Sequence, residues 1–393
     1  LNEEQPYVLW LPSWYPNRLA PYDGDFIQRH AKAVAAYLPV HVFYAEKDKE
    51  HVVTNDIFVD EKTGDNLTET IIYFSPAGYK INLFQRIASY RKLAGIYNKR
   101  IREIFKNRGL PLLQHVHVAY KAGLAARRVR KKYGIPYILT EHWTAFLKEA
   151  EPAFSSLSFT AKYMISKIIN DAELILPVSD YLTGAMEQRW PNSEYQVVPN
   201  VVDTSVFYPV TVKQSVSLQF IHISAMNYQK DPESLFKAMS IVKSRGIPFM
   251  LDIFGPVTDQ VKKQVEENNI SDAVIFHGEV PQTELAPVLQ QADALILYSR
   301  YETFGCVVIE ANACGVPVIA ADTPPMRELL QDGFNGIFAK PDNPASLAEA
   351  IIRFSSIQRQ FNRNEIAAAT AACYSYKKIG KMYADVYAKI SGF

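Results

Sequence analysis

The chain has 393 residues, room for two domains at roughly 100–200 residues each, and its 48 % hydrophobic and 21 % charged content lets both bury cores, which excludes wholesale disorder. Lys and Arg number 42 against 41 Asp and Glu, a formal charge of +1 that argues against a dedicated nucleic-acid binder with its basic stripe. Cys306, Cys314 and Cys373 have no CxxC spacing, which rules out a disulfide framework and a thiolate zinc cage and fits a reducing compartment.

The first apolar run, residues 7–11, is far shorter than the roughly 20 residues of a membrane span and no basic segment precedes it, so a soluble, cytoplasmic chain is expected. Residues 7–11, 40–44, 70–74, 112–116, 137–140 and 174–178 read as strands, with helices between them such as 24–37 and 119–133. Gly24 opens the first of these helices. A glycine there either lets backbone approach a phosphate or sugar or serves a plain strand-to-helix turn.

Residues 79–109 gather Lys80, Arg86, Arg91, Lys92, Lys99, Arg100, Arg102, Lys106 and Arg108 against the single acid Glu103, with apolar residues at helical spacing between them. Such a stretch is a solvated helix packed on its domain or a surface drawn to anionic lipid. His115 and His117 end a strand with side chains on one face. Packed core histidines and a metal set with Glu141 and His142 are both open from spacing alone.

The boundary falls near 198–203, a stretch that includes Asn200, and the polar segment 209–217 follows. Beyond it the pattern restarts, with strands at 218–223, 249–254, 274–277, 294–298, 316–320 and 336–338. Helices are expected at 231–244, 258–268, 282–291 and 306–314. So many β/α units exceed one ordinary open sheet and give two Rossmann-like doubly wound domains, residues 1–202 and 203–373. Ligands of such sheets sit at the carboxyl ends of the strands, here in the cleft between domains.

Glu302 and Glu310 are spaced Glu-x7-Glu across a strand-to-helix junction. Phe304, Gly305 and Cys306 begin the helix, and their amides together with the helix dipole suit a sugar oxygen or phosphate. Glu302 can accept from sugar hydroxyls and Glu310 from a ribose diol. Taken alone, two glutamates are more often solvated.

The run from Phe276-His277-Gly278-Glu279-Val280 through Tyr298–Gly305 to Glu310–Ala320 and Asp332–Gly336 resembles the retaining family 4 glycosyltransferases of GT-B fold. The segment Val198-Pro199-Asn200-Val201-Val202-Asp203 is similar to that family's hinge, with Val201 in place of glycine. The resemblance implies transfer of a sugar from a nucleotide-diphospho-sugar to a glycan or lipid-linked acceptor with an α-linkage, without metal or cofactor, in cell-surface polysaccharide, lipopolysaccharide or glycolipid synthesis. It implies donor contacts from Gly24, Lys230, Val280, Glu302, Phe304, Gly305, Cys306 and Glu310, with His117, Glu302 and Lys230 nearest the chemistry. His142, Asn200, Arg300 and Arg327 would line the cleft. The last helix, 374–393, would cross back onto the first domain.

Two departures stand out. Ala225 occupies the place of the family's phosphate-binding arginine, leaving Lys230 alone, with Arg300, Arg327 and Lys340 as possible replacements. The loop 323–328 carries Pro324 and Pro325 where many members have glycines. Alternatives are a nucleotide-sugar epimerase of the same fold and a catalytically silent nucleotide-sugar-binding module. A dinucleotide oxidoreductase ranks lowest because no GxGxxG follows either first strand.

Overall fold

The computed structural model describes residues 5–76, 83–212 and 216–392, and of residues 83–87 the backbone alone. The first sheet contains β1 (Val8–Pro12), β2 (Val40–Lys47), β3 (Ile57–Gly64), β4 (Leu67–Phe74), β5 (Leu113–His117), β6 (Tyr137–Glu141) and β7 (Ile175–Pro177). They lie in the order β3-β4-β2-β1-β5-β6-β7, parallel except for β3. The second sheet contains β8 (Leu218–Ile223), β9 (Phe249–Phe254), β10 (Val274–Gly278), β11 (Ala294–Leu297), β12 (Val318–Ala321) and β13 (Gly336–Ala339). Its order, β10-β9-β8-β11-β12-β13, is parallel throughout. Both sheets are doubly wound with helices on their faces, the GT-B architecture that the motifs imply.

Two differences from the sequence expectation have physical causes. Strand β3 escapes the periodicity argument because it is an edge strand with most of its side chains in solvent. It reaches β4 through a tight turn in which Asn66 takes φ +57°. Strand β12 starts at Val318 rather than 316, because the Val316 amide still bonds to the Ala311 carbonyl of the preceding helix and Pro317 has no N–H.

One apolar cluster runs from the first sheet (Leu9, Val116, Leu139) into the second (Leu297, Phe304, Val308) without a break. The helix Leu83–Arg108 adds Ile96, Tyr97 and Ile101 to it and leaves Arg91, Lys99 and Lys106 outside. Tyr79, Lys80 and the side chain of Arg86 lie outside the described residues. Among the described residues no helix is long and apolar enough to cross a membrane.

The chain passes between the two sheets twice. After β7 it runs through Asn200–Val202, and after the helix Arg363–Tyr374 it returns through Ser375 into the helix Tyr376–Ser391. The two crossings are bonded to each other, with the Val202 amide donating to the Tyr374 carbonyl at 2.9 Å. Tyr376–Ser391 then lies on the helix Asp25–Ala35, and its Ile379, Tyr383 and Tyr387 share a core with Val8, Trp10 and Ile27. The approach is close enough to demand Gly380, where a Cβ would stand 2.2 Å from the Ala33 carbonyl oxygen. Gly380→Ala should lower stability by about 1–3 kcal/mol, read as a drop in melting temperature; an unchanged melt would show that the two helices are not packed at this point.

Candidate active site

Parallel register decides what meets at the strand ends. Pro12 pairs with His117 and His117 with Thr140, so the ends of β1, β5 and β6 are level. His115 and His117 project on one face of the sheet and His142 follows β6, while His30 descends on them from Asp25–Ala35. The His115 and His117 rings are 4.1 Å apart, His117 and His142 stack at 5.7 Å, and Trp10 lies 4.2 Å from His117. His117 Nδ1 and His142 Nε2 share a hydrogen bond of 3.4 Å. His115 is held by Tyr387 and Thr140, and His30 Nε2 donates to Asn200 Oδ1 at 3.0 Å.

All four rings are buried, which pushes His30 down to about 4 and the other three well below the usual imidazole range. His117 is fully enclosed, so His142 is the member of the pair nearer the surface, and Asn200 serves His30. Glu141 is turned away from this group. Its carboxylate accepts the amides of Ala119, His142 and Trp143, so the metal set of two histidines with Glu141 and His142 is not assembled. Among the described residues no three His, Cys, Asp or Glu side chains are grouped to hold a metal ion.

Across the cleft, Gly305 takes φ +106° and caps the helix Cys306–Ala313. Glu302 stands just ahead of this helix and Glu310 one turn inside it, both buried. Lys230, from the turn after β8, donates to Glu302, and Gln229 Nε2 donates to the same carboxylate at 3.3 Å. Burial pushes the Cys306 thiol up to about 12, so it stays neutral. Ala225 is exposed on the same loop and brings no charge. Arg300 is engaged by Asp231 at 2.6 Å and by the Tyr228 carbonyl, and Arg327 by both oxygens of Asp322, so each is held within the second domain. Lys340 is exposed, and its carbonyl accepts from Tyr298.

Contacts between the domains close the site. Arg29 NH1 lies 2.5 Å from Glu310 Oε1, with both side chains buried. Gln282, two residues after Val280, donates to Asp25 at 3.1 Å. Gly24, at φ +65°, starts the helix that bears Asp25 and Arg29; a Cβ there would lie 2.6 Å from the Trp14 backbone, so the tight turn requires glycine. The Glu328 carboxylate accepts the Asp180 and Tyr181 amides at a helix N-terminus of the first domain, and Ser179 donates to the Thr303 carbonyl.

Family models agree with this geometry: that of glycosyl transferases group 1 matches residues 209–371, and that of Glycosyltransferase Family 4 matches residues 30–206. The chain belongs to the family 4 glycosyltransferases. It is 25 % identical over 304 residues to N-acetyl-alpha-D-glucosaminyl L-malate synthase of Bacillus anthracis, which covers 73 % of this chain and 77 % of that protein. Sucrose-phosphate synthase from Thermosynechococcus elongatus has the same fold, with a TM-score of 0.78 at 18 % identity over 99 % of both chains. Anabaena HepE in complex with UDP and glucose gives 0.70 at 14 % identity over 97 % of this chain and 99 % of that one.

This glycosyltransferase also has a cavity of about 580 Å³ at the carboxyl ends of β1, β2 and β4, lined by Ser13, Tyr44, Lys47, Tyr90, Tyr97 and Lys121 among others. Burial, with Lys49 and Lys121 nearby, lowers the Lys47 pKa. Lys121 of the lining takes φ +74° and the buried Val118 shortly before it φ +65°, conformations unfavourable for both residues.

Arg29, Asp25, Gln282 and His30 are absent from the sequence expectation. Their one signal is the i,i+4 pair Asp25 and Arg29 on a helix whose neighbouring faces are both buried, one by the sheet and one by the other domain.

The histidine cluster has a consequence for stability against pH. An unfolded chain protonates these rings near 6.5, whereas folded His30 takes a proton only near pH 4. The unfolded state binds more protons in that window, so the ring's contribution is lost as pH falls through it. Glu141, raised to about 7 by burial, opposes this because its folded form keeps a proton longer. His30→Gln should therefore lose less melting temperature than wild type between pH 7.5 and 5.5; equal losses would mean that His30 is not held neutral.

Proposed function

We propose that this chain transfers a sugar from a nucleotide-diphospho-sugar to a glycan or lipid-linked acceptor with retention, forming an α-glycosidic bond in cell-surface polysaccharide or glycolipid synthesis. The observation that carries this reading is the convergence of Lys230, Glu302, Glu310 and the N-terminus of Cys306–Ala313 in one cleft. A cation and free helix amides suit a diphosphate, and two separately placed carboxylates suit two different diols. Glu302 holds the sugar hydroxyls, Glu310 the ribose, and the loop at Val280 faces the base. His142 and His117 supply neutral donors and acceptors beside the sugar.

In the reaction the bond from the anomeric carbon to the diphosphate oxygen breaks, and a bond to the acceptor oxygen forms on the same face. The acceptor proton passes to the departing phosphate. Lys230 and the helix amides stabilise the charge that grows on that phosphate. No step in this scheme calls for a metal or an organic cofactor. The bound UDP and glucose of HepE support a nucleotide-sugar donor.

The acceptor enters from the tyrosine-lined cavity, where Lys47 and Lys121 outnumber the lining acid Glu46 and favour an anionic group, in keeping with the L-malate in the name of the Bacillus relative. The basic outer face of Leu83–Arg108 supports electrostatic contact with anionic lipid at the inner membrane face. Insertion is disfavoured, because Ile96, Tyr97 and Ile101 belong to the core.

Lys230→Ala should lower transfer by about 10²–10³-fold and, by leaving buried Glu302 unpaired, should also lower the melting temperature; a wild-type rate would overturn the donor assignment. Lys121→Glu should raise the acceptor KM and leave the donor KM unchanged. Donor incubated without acceptor should yield no epimer; an epimer would favour the epimerase instead.

A further inference from the structure

We propose that Arg29 is a second phosphate-binding cation of the donor site, supplied by the first domain and parked on Glu310 until a nucleotide arrives. The inference rests on the nucleotide-sugar reading above. Both phosphoryl groups of such a donor are negative, and a buried diphosphate needs matching positive charge. On its own domain the site provides Lys230, already paired with Glu302, while Arg300 and Arg327 are held by Asp231 and Asp322.

Arg29 differs from those two. Its side chain is 6 % exposed, it is bonded to Glu310 NH1 to Oε1 at 2.5 Å and it lies 3.3 Å from Asp25. Its Nε is buried and has no partner among the described residues. It is also close enough to the start of Cys306–Ala313 to influence the Cys306 thiol. One guanidinium thus sits between the carboxylate suited to a ribose and the helix end suited to a phosphate.

A ribose diol donating to Glu310 displaces NH1. The freed NH1, with Nε still unpaired, can then donate to the adjacent phosphate while NH2 stays with Asp25. Asp25, on the same helix, keeps the guanidinium oriented through the exchange. A cation held at the cleft by the opposite domain ties phosphate binding to the contact between the domains, and it balances the charge that Ala225 does not bring.

The test is calorimetric titration with uridine, UMP and UDP, repeated with the guanosine and adenosine series. Wild type should bind the diphosphate more tightly than the nucleoside, and the ratio of the two affinities is the readout. Arg29→Gln should lower that ratio by at least tenfold without weakening nucleoside binding, and Arg29→Lys should restore part of it. If loss of the ion pair unfolds Arg29→Gln, the same ratio is compared between Glu310→Gln and the double variant, where the weakened ribose contact cancels. An unchanged ratio on removal of Arg29 overturns the proposal and leaves the pair as a bridge between domains. A wild-type protein that binds no nucleoside diphosphate overturns the nucleotide-sugar reading itself.

Discussion

A charge taken out of water must find an opposite charge or give up its proton, since the cost of leaving it alone is several kcal/mol per ion. The cleft is organised by that constraint. Lys230 has Glu302, Arg300 has Asp231, and Arg29 has Glu310 and Asp25. The imidazoles behind them satisfy it the other way and stay neutral. Only one of these pairs, Arg29 and Glu310, has its members in different domains, so it links the chemistry of the site to the relative position of the domains. Any ligand that engages one member disturbs the other.

Parallel sheets explain why these groups meet at all. Every strand of the second sheet, and every strand but β3 of the first, delivers its following loop to the same edge. The two edges face each other, so residues far apart in the chain, such as Asp25 and Gln282 or Ser179 and Thr303, come within hydrogen-bonding distance. The strain at Val118 and Lys121 lies on the same edge, after β5, and Lys121 lines the tyrosine-lined cavity.

The fold was legible in the sequence because buried parallel strands are short apolar runs, and 218–223 and 249–254 match β8 and β9 in full. An edge strand such as β3 has no such run. At the site, the motif around Glu302 and Glu310 was legible because it lies in one continuous stretch. The partners were not. Arg29 looks like an ordinary helix-surface arginine until the second domain covers it, and Arg300 looks available until its contacts with Asp231 and Tyr228 are seen. What a charged side chain faces depends on the tertiary arrangement, which local periodicity does not encode.

The bond between Val202 and Tyr374 joins two crossings that are far apart in sequence. A single connecting strand would let one domain swivel freely against the other. Two crossings tied side by side form a stiffer axle than one would and restrict that swivel. The helix Arg363–Tyr374, which ends at that axle, also packs against Cys306–Ala313. The wall that carries Glu310 is therefore braced by the helix that leads into the crossing.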